Sequence, residues 1–218
     1  MSLNRAEGGV VSADAGRREK AVLDTLANRI TGVRFLLALV LFGFLQWLTM
    51  RPASGAAALC AISFALFVVA AGTDFLDGYL ARRRAETSAV GRIADPFVDK
   101  VLVCGTFVFL AVAPATKAFV PAWVVAVVIA REFLVTTLRG WVESRGAAFP
   151  ADAFGKLKML SQALAIGGVL LYPATPVLRE TVGVLARFLV IATVVLTVLS
   201  GANYLWKARS LFSGGGSA

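Results

Sequence analysis

Residues 35–50 and 52–73 contain no charged side chain, and neither do 101–116, 118–130, 159–178 and 188–206. These runs limit the chain more than any motif does. A helix that is apolar all round has to be buried, either in a large core or in lipid. A membrane-spanning helix needs about 20 apolar residues, within a range of about 17–25. Three of the runs approach or reach that length alone. The others reach it when the helix continues into its flanks, through Arg34, through the segment from Asp95 to Lys100, and through Arg131 and Glu132. Those ionisable residues then sit near membrane depth, where a charge is costly and marks a functional position. The expected fold is an all-α integral membrane protein with six transmembrane helices. A soluble helical bundle would need far more charge, because charged residues are 16% of this chain against roughly a quarter in soluble domains.

The sparse charge is strongly basic, with 22 Lys and Arg against 13 Asp and Glu. In so apolar a chain this points to anionic lipid headgroups rather than nucleic acid. Only four of the 22 cations, Arg51, Lys117, Arg179 and Arg187, fall in the connections after the first, third and fifth runs. The other 18 gather at the two termini and in the even-numbered connections. The excess of Lys and Arg on the cytoplasmic side of membrane proteins therefore predicts both termini, and the second and fourth connections, to be cytoplasmic. The expected organisation is a disordered tail at 1–15, a juxtamembrane amphipathic helix at 16–28, a six-span domain at 29–209 and a flexible tail at 210–218. Arg17, Arg18 and Lys20 precede no short apolar run with a small-residue cleavage site, so no signal peptide is expected.

Histidine is absent, which excludes Ser-His-Asp catalysis, histidine-bound zinc and a phosphohistidine intermediate. Cys60 and Cys104 lie in apolar runs without metal-ligand spacing and read as small buried hydrophobes. Chemistry falls to the carboxylates. Asp74 and Asp77 are three apart, and Asp95 and Asp99 are four apart, so each pair shares one helix face with Cβ atoms about 5–6 Å apart. The first pair ends the second span and the second pair begins the third. A short connection containing Ser88 and Gly91 lets the two helices face each other and bring four carboxylates together. Such a cluster cannot stay ionised without compensation, and oxygen-only ligands suit Mg2+ or Mn2+. Two such ions can neutralise a pyrophosphate and stabilise its displacement. Gly78 and Ala81 leave room for a ligand beside the carboxylates, and Arg82 can grip a phosphate through two hydrogen bonds.

Residues 73–100 resemble the CDP-alcohol phosphotransferase family through its signature D-x2-D-G-x2-A-R-x8-G-x3-D-x3-D. Every fixed position is met, by Asp74, Asp77, Gly78, Ala81, Arg82, Gly91, Asp95 and Asp99. The resemblance implies a six-helix membrane enzyme, usually a homodimer, that transfers a substituted phosphate from a CDP-linked donor to an alcohol and releases CMP. It implies that Asp74, Asp77 and Asp95 bind metal together with the donor pyrophosphate. Asp99 would be both metal ligand and the base that deprotonates the acceptor. Gly78, Ala81, Arg82 and Gly91 would line the CDP site.

For the acceptor the sequence offers cations. Asn28, Thr31 and Arg34 lie on one arc of the first helix. Glu132 and Arg139 are seven apart, Arg139 and Glu143 four apart, and Gly155, Lys156 and Lys158 open the fifth span. Thr31, Arg34, Arg139, Lys156 and Lys158 are the candidate acceptor-binding residues, since positive groups clamp a phosphorylated alcohol. Lys156 and Lys158 are about 200° apart on a helix, so the two are not expected to face one pocket. The patterns N-x2-T-x2-R, R-E-x6-R and G-K-x-K with a later Gln are similar to those of a branch of the family, the bacterial phosphatidylglycerophosphate synthases. Met159 departs from them, standing where they usually carry Thr. This resemblance implies CDP-diacylglycerol as donor, sn-glycerol 3-phosphate as acceptor, and a bacterial inner membrane with the active site facing the cytoplasm. Two other readings stay open on the residues: a sister enzyme using inositol phosphate, serine or phosphatidylglycerol, and a cation transporter whose aspartates line an ion path.

Overall fold

The computed structural model describes residues 26–84, 89–145 and 153–213. Among them are six long helices and no strand: α1 Leu26–Thr49, α2 Ala57–Arg84, α3 Ala89–Val112, α4 Ala122–Ser144, α5 Ala153–Ala174 and α6 Arg179–Ser213. Each of the six charge-free runs lies largely within one of these helices. The expected tail at 1–15 and nearly all of the amphipathic helix at 16–28 lie outside the described residues, as does the connection 85–88. The structure differs from the expected boundaries at both ends of the domain. Residues 26–28 are already helical within α1, and α6 continues past Arg209 to Ser213.

Proline sets several boundaries. Pro52 precedes a short 3-10 turn at Ala53–Gly55, and Pro121 precedes α4 with φ −61° and ψ 152°. Proline lacks an N–H and holds φ near −65°, so it fits just before a helix and poorly within one. At the end of α3 the Thr116 hydroxyl donates to the carbonyl of Leu110 at 2.8 Å, serving a terminal group that the helix leaves unpaired. Pro96 breaks the rule inside α3. It removes a backbone donor from the turn that separates Asp95 from Asp99.

Ile30–Thr49, Phe154–Ala174 and Pro176–Arg209 are long and apolar enough to cross a membrane, and Ala57–Thr73 is a shorter apolar helix. Helices α2, α3 and α4 have 28, 24 and 23 residues, so even the shortest is about 35 Å long at 1.5 Å per residue. Asp95, Asp99 and Lys100 interrupt the apolar run of α3, and Arg131, Glu132 and Arg139 that of α4. The direction of exposure identifies the solvent. Along α6, Phe188, Ile191 and Val195 are exposed, whereas Thr193, Thr197 and Ser200 are fully buried. Large apolar groups outside and small hydroxylated residues between helices are the arrangement of a protein packed in lipid.

Helix α5 is central, packing against α2, α3 and α6, while α1 packs on α2 and α3, and α4 on α3 and α6. Ile166, Val169 and Leu170 of α5 have no exposed surface. Among the described residues the two aspartate-bearing helices, α2 and α3, are joined mainly through the neighbours they share, α1 and α5.

Candidate active site

Asp95 and Asp99 stand one turn apart on α3 and both meet α1. The Thr31 hydroxyl donates to Asp95 Oδ1. Arg34 donates through Nη1 to Asp99 Oδ1 at 2.8 Å and through Nε to the Thr73 hydroxyl at 3.3 Å. The three-residue spacing of Thr31 and Arg34 matches the four-residue spacing of the aspartates, so two adjacent helix faces are stitched turn for turn. Arg34 is buried, with 1% of its side chain exposed, whereas Asp99 keeps 28%. Asp99 is therefore held from behind and open in front. Asp74, Asp77, Gly78, Ala81 and Arg82 belong to α2 and Gly91 to α3. Their side chains lie outside the described residues, as does that of Asn28.

In front of Asp99 is a cavity of about 620 Å3. Its wall includes Lys100, Arg131, Arg139, Lys156 and Lys158 as cations, with Asp99, Glu132 and Glu143 as carboxylates. The cationic excess favours an anionic guest. Glu132 links two of the cations: Lys158 Nζ donates to Glu132 Oε1, and Arg131 Nη1 lies 3.3 Å from the same oxygen. Several donors on the wall, Arg131 Nε, Arg139 Nε and Gln162 Nε2, have no hydrogen-bond partner among the described residues. A buried donor left unpaired is costly, and the oxygens of a phosphate would satisfy such groups.

Of the five expected acceptor residues, Arg139, Lys156 and Lys158 line the cavity. Thr31 and Arg34 do not: they are engaged with the aspartates on the side away from it. The expectation that Lys156 and Lys158 face different surroundings is corrected. Both reach the cavity, Lys158 buried and Lys156 exposed, because a four-carbon arm carries an ammonium well away from the direction of its Cβ. Cys60 is buried as expected, but Cys104 is partly exposed on the cavity wall.

Arg131 was expected near membrane depth, whereas Ser200 and Tyr204 were not singled out as site residues by the sequence. Arg131 donates to the Ser200 hydroxyl at 2.6 Å, and Arg139 to the Tyr204 hydroxyl at 3.1 Å. One signal was available: Ser200 and Tyr204 are four apart in an otherwise apolar run, hence on one face.

Asp95 and Asp99 offer hard oxygen donors on one helix face and keep some exposure, so they fit an octahedral Mg2+ or Mn2+ that retains waters. Among the described residues no three such ligands gather; the other two aspartates of the signature are the α2 pair.

Comparison with known proteins places this geometry. The family model for CDP-alcohol phosphatidyltransferases matches residues 24–199. A probable phosphatidylglycerophosphate synthase of Mycobacterium tuberculosis is 34% identical over 189 residues, covering 87% of this chain and 84% of that protein. A CDP-diacylglycerol–glycerol-3-phosphate 3-phosphatidyltransferase of Sodalis glossinidius is 33% identical over 179 residues, covering 80% and 91%. A Bacillus subtilis protein with the same name is 37% identical over 107 residues, and the match spans 53% of its length and 49% of this chain. The chain belongs to the CDP-alcohol phosphatidyltransferase family.

Proposed function

We propose that this enzyme transfers the phosphatidyl group of CDP-diacylglycerol to sn-glycerol 3-phosphate, giving phosphatidylglycerophosphate and CMP. The observation that carries the reading is Asp99 on the wall of a cationic cavity of about 620 Å3. A carboxylate that can act as base and a cluster of cations share one space, which is what a phosphorylated alcohol requires. The name of the Sodalis relative supports the same donor and acceptor, and that of the Mycobacterium relative the same product.

In this mechanism Arg139, Lys156 and Lys158 hold the acceptor's phosphate and so direct its free hydroxyl toward Asp99. Asp99 takes the hydroxyl proton. The oxygen attacks the diacylglycerol-bearing phosphorus, and the bond from that phosphorus to the bridging oxygen breaks. CMP leaves with the electron pair. Arg34 holds one oxygen of Asp99, and Thr31 holds Asp95. Asp74, Asp77, Asp95 and Asp99 would bind two Mg2+ or Mn2+ ions, which neutralise the donor pyrophosphate when bound. Gly78, Ala81, Arg82 and Gly91 would line the CDP site, and the donor's acyl chains would remain in lipid.

The reading includes six membrane crossings in a bacterial inner membrane, both termini and the active site on the cytoplasmic side, and a homodimer. The distribution of Lys and Arg supports the orientation. The deciding experiment incubates the purified enzyme with CDP-diacylglycerol, Mg2+ and one alcohol at a time, following CMP. Glycerol 3-phosphate should support release; inositol phosphate, serine and phosphatidylglycerol should not. Release with one of those and none with glycerol 3-phosphate would overturn the acceptor assignment.

A further inference from the structure

Helix α6 carries no motif, yet its C-terminal half holds both arginines of the cavity. Arg131 and Arg139 are eight residues apart on α4, more than two turns, and the Tyr204 ring serves both. Arg131 Cζ lies 5.6 Å and Arg139 Cζ 6.0 Å from its centroid, within the range of an attractive cation–π contact. Arg139 also donates to the ring's hydroxyl, and Arg131 to Ser200 one turn earlier. Tyr204 is 2% exposed and Ser200 fully buried, so neither anchor is free to move with its arginine. Each guanidinium is thus fixed by a hydrogen bond and a ring contact, while its Nε has no partner among the described residues. An arginine otherwise loses considerable rotamer freedom when it grips an anion, and prior fixation removes much of that cost.

We propose that Tyr204, assisted by Ser200, is a positioning residue that orders Arg131 and Arg139 for the acceptor's phosphate. It acts through the arginines and takes no part in proton transfer. The inference rests on the acceptor reading above, and its test separates the two.

In Tyr204→Phe the ring stays and the hydroxyl goes. The KM for glycerol 3-phosphate should rise about tenfold, the effect of one lost hydrogen bond to a charged group. The KM for CDP-diacylglycerol and kcat should hold. Tyr204→Leu, which also removes the ring, should raise the acceptor KM further, and Tyr204→Phe should therefore act as a partial rescue of it. Ser200→Ala should move the same constant in the same direction. An unchanged acceptor KM in Tyr204→Phe would overturn the proposal. So would a fall in kcat with all KM values intact, or a loss of melting temperature without any change in acceptor KM.

A second measurement does not depend on the identity of the alcohol. Inorganic phosphate should slow alkylation of Cys104 on the cavity wall, and Tyr204→Phe should need about tenfold more phosphate for the same protection. If the wild type turns over another alcohol but not glycerol 3-phosphate, the acceptor reading fails alone, and this protection assay decides Tyr204. Equal protection in wild type and variant would overturn the positioning role.

Discussion

Where α5 gives way to α6, Arg179 lies over the Tyr172 ring at 4.9 Å and Arg187 over the Phe119 ring at 5.7 Å. Both arginines are exposed. At the opposite end of these helices Arg34 and Arg131 are buried, tied to Asp99 in one case and to Glu132 and Ser200 in the other. The same residue type meets aromatic rings at both ends, but its burial and partners differ. At the first end the guanidinium stays in water and the ring beneath it anchors the helix at the interface. At the second end the charge has been taken out of water. That arrangement is costly unless paired, and it survives where the charge is needed for something else. The comparison teaches that burial of the cation, rather than its presence at a helix end, separates the site from the anchor.

The largest test of that contrast lies at the carboxylate which Arg34 grips. Asp99→Asn keeps the shape and removes the base. CMP release should fall by about 10²–10⁴, the usual contribution of a positioned base, while CDP-diacylglycerol still binds in a filter or calorimetric assay. Turnover near the wild-type rate would remove Asp99 from the base role and leave Arg34–Asp99 as a structural pair.

Stability comes next. Lys158→Met leaves Glu132, in a largely buried position, with Arg131 as its remaining ion-pair partner among the described residues. Breaking a buried ion pair from one side costs about 3–5 kcal/mol, so the melting temperature in detergent should fall clearly. Replacing both partners, Lys158→Met with Glu132→Leu, should restore part of it, since the apolar pair needs no compensation while Arg131 loses its carboxylate. A double variant no more stable than the single one would show that Glu132 is not the reason Lys158 is tolerated there. Activity should remain low in both, because the cavity has lost a cation.

How much of this contrast could be read from the sequence depends on the kind of information each part needs. Charge-free runs locate helices, because lipid demands that backbone groups be satisfied within the segment. The spacing of Asp95 and Asp99 puts them on one face, because helical geometry is local. Which helix that face meets is not local. Arg34 was legible as a buried-depth cation, but its pairing with Asp99 depends on how α1 packs on α3. Arg131 and Tyr204 are 73 residues apart in sequence and meet through the packing of α4 on α6. Lys156 and Lys158 misled for the opposite reason: the angular rule describes Cβ directions, and a lysine's charge lies four bonds beyond.

A gentler probe asks whether the cavity beside the buried cations admits solutes. Cys104 is on its wall and partly exposed, whereas Cys60 is fully buried in the core. The protein thus carries one thiol that reports on the site and one that serves as an internal control. A small charged alkylating reagent should label Cys104 and spare Cys60, with the site read by mass spectrometry. Glycerol 3-phosphate at concentrations near its KM should slow that labelling, and neutral glycerol should not.

The smallest effect belongs to the other end. Arg179→Ala and Arg187→Ala each remove an exposed cation from a ring surface, and exposed substitutions of this kind usually change stability by no more than about 0.5 kcal/mol. Melting temperature and acceptor KM should both stay at wild-type values, alone and in the double variant. Orientation should hold as well. Arg179 and Arg187 are two of the only four cations in the connections assigned outside. Their removal steepens the Lys and Arg asymmetry in the direction already present, so accessibility labelling should show the same orientation at least as uniformly. A shift in acceptor KM with Arg187→Ala would break the comparison at its weakest point, because it would mean that an exposed cation at the far end is coupled to the cavity through α6.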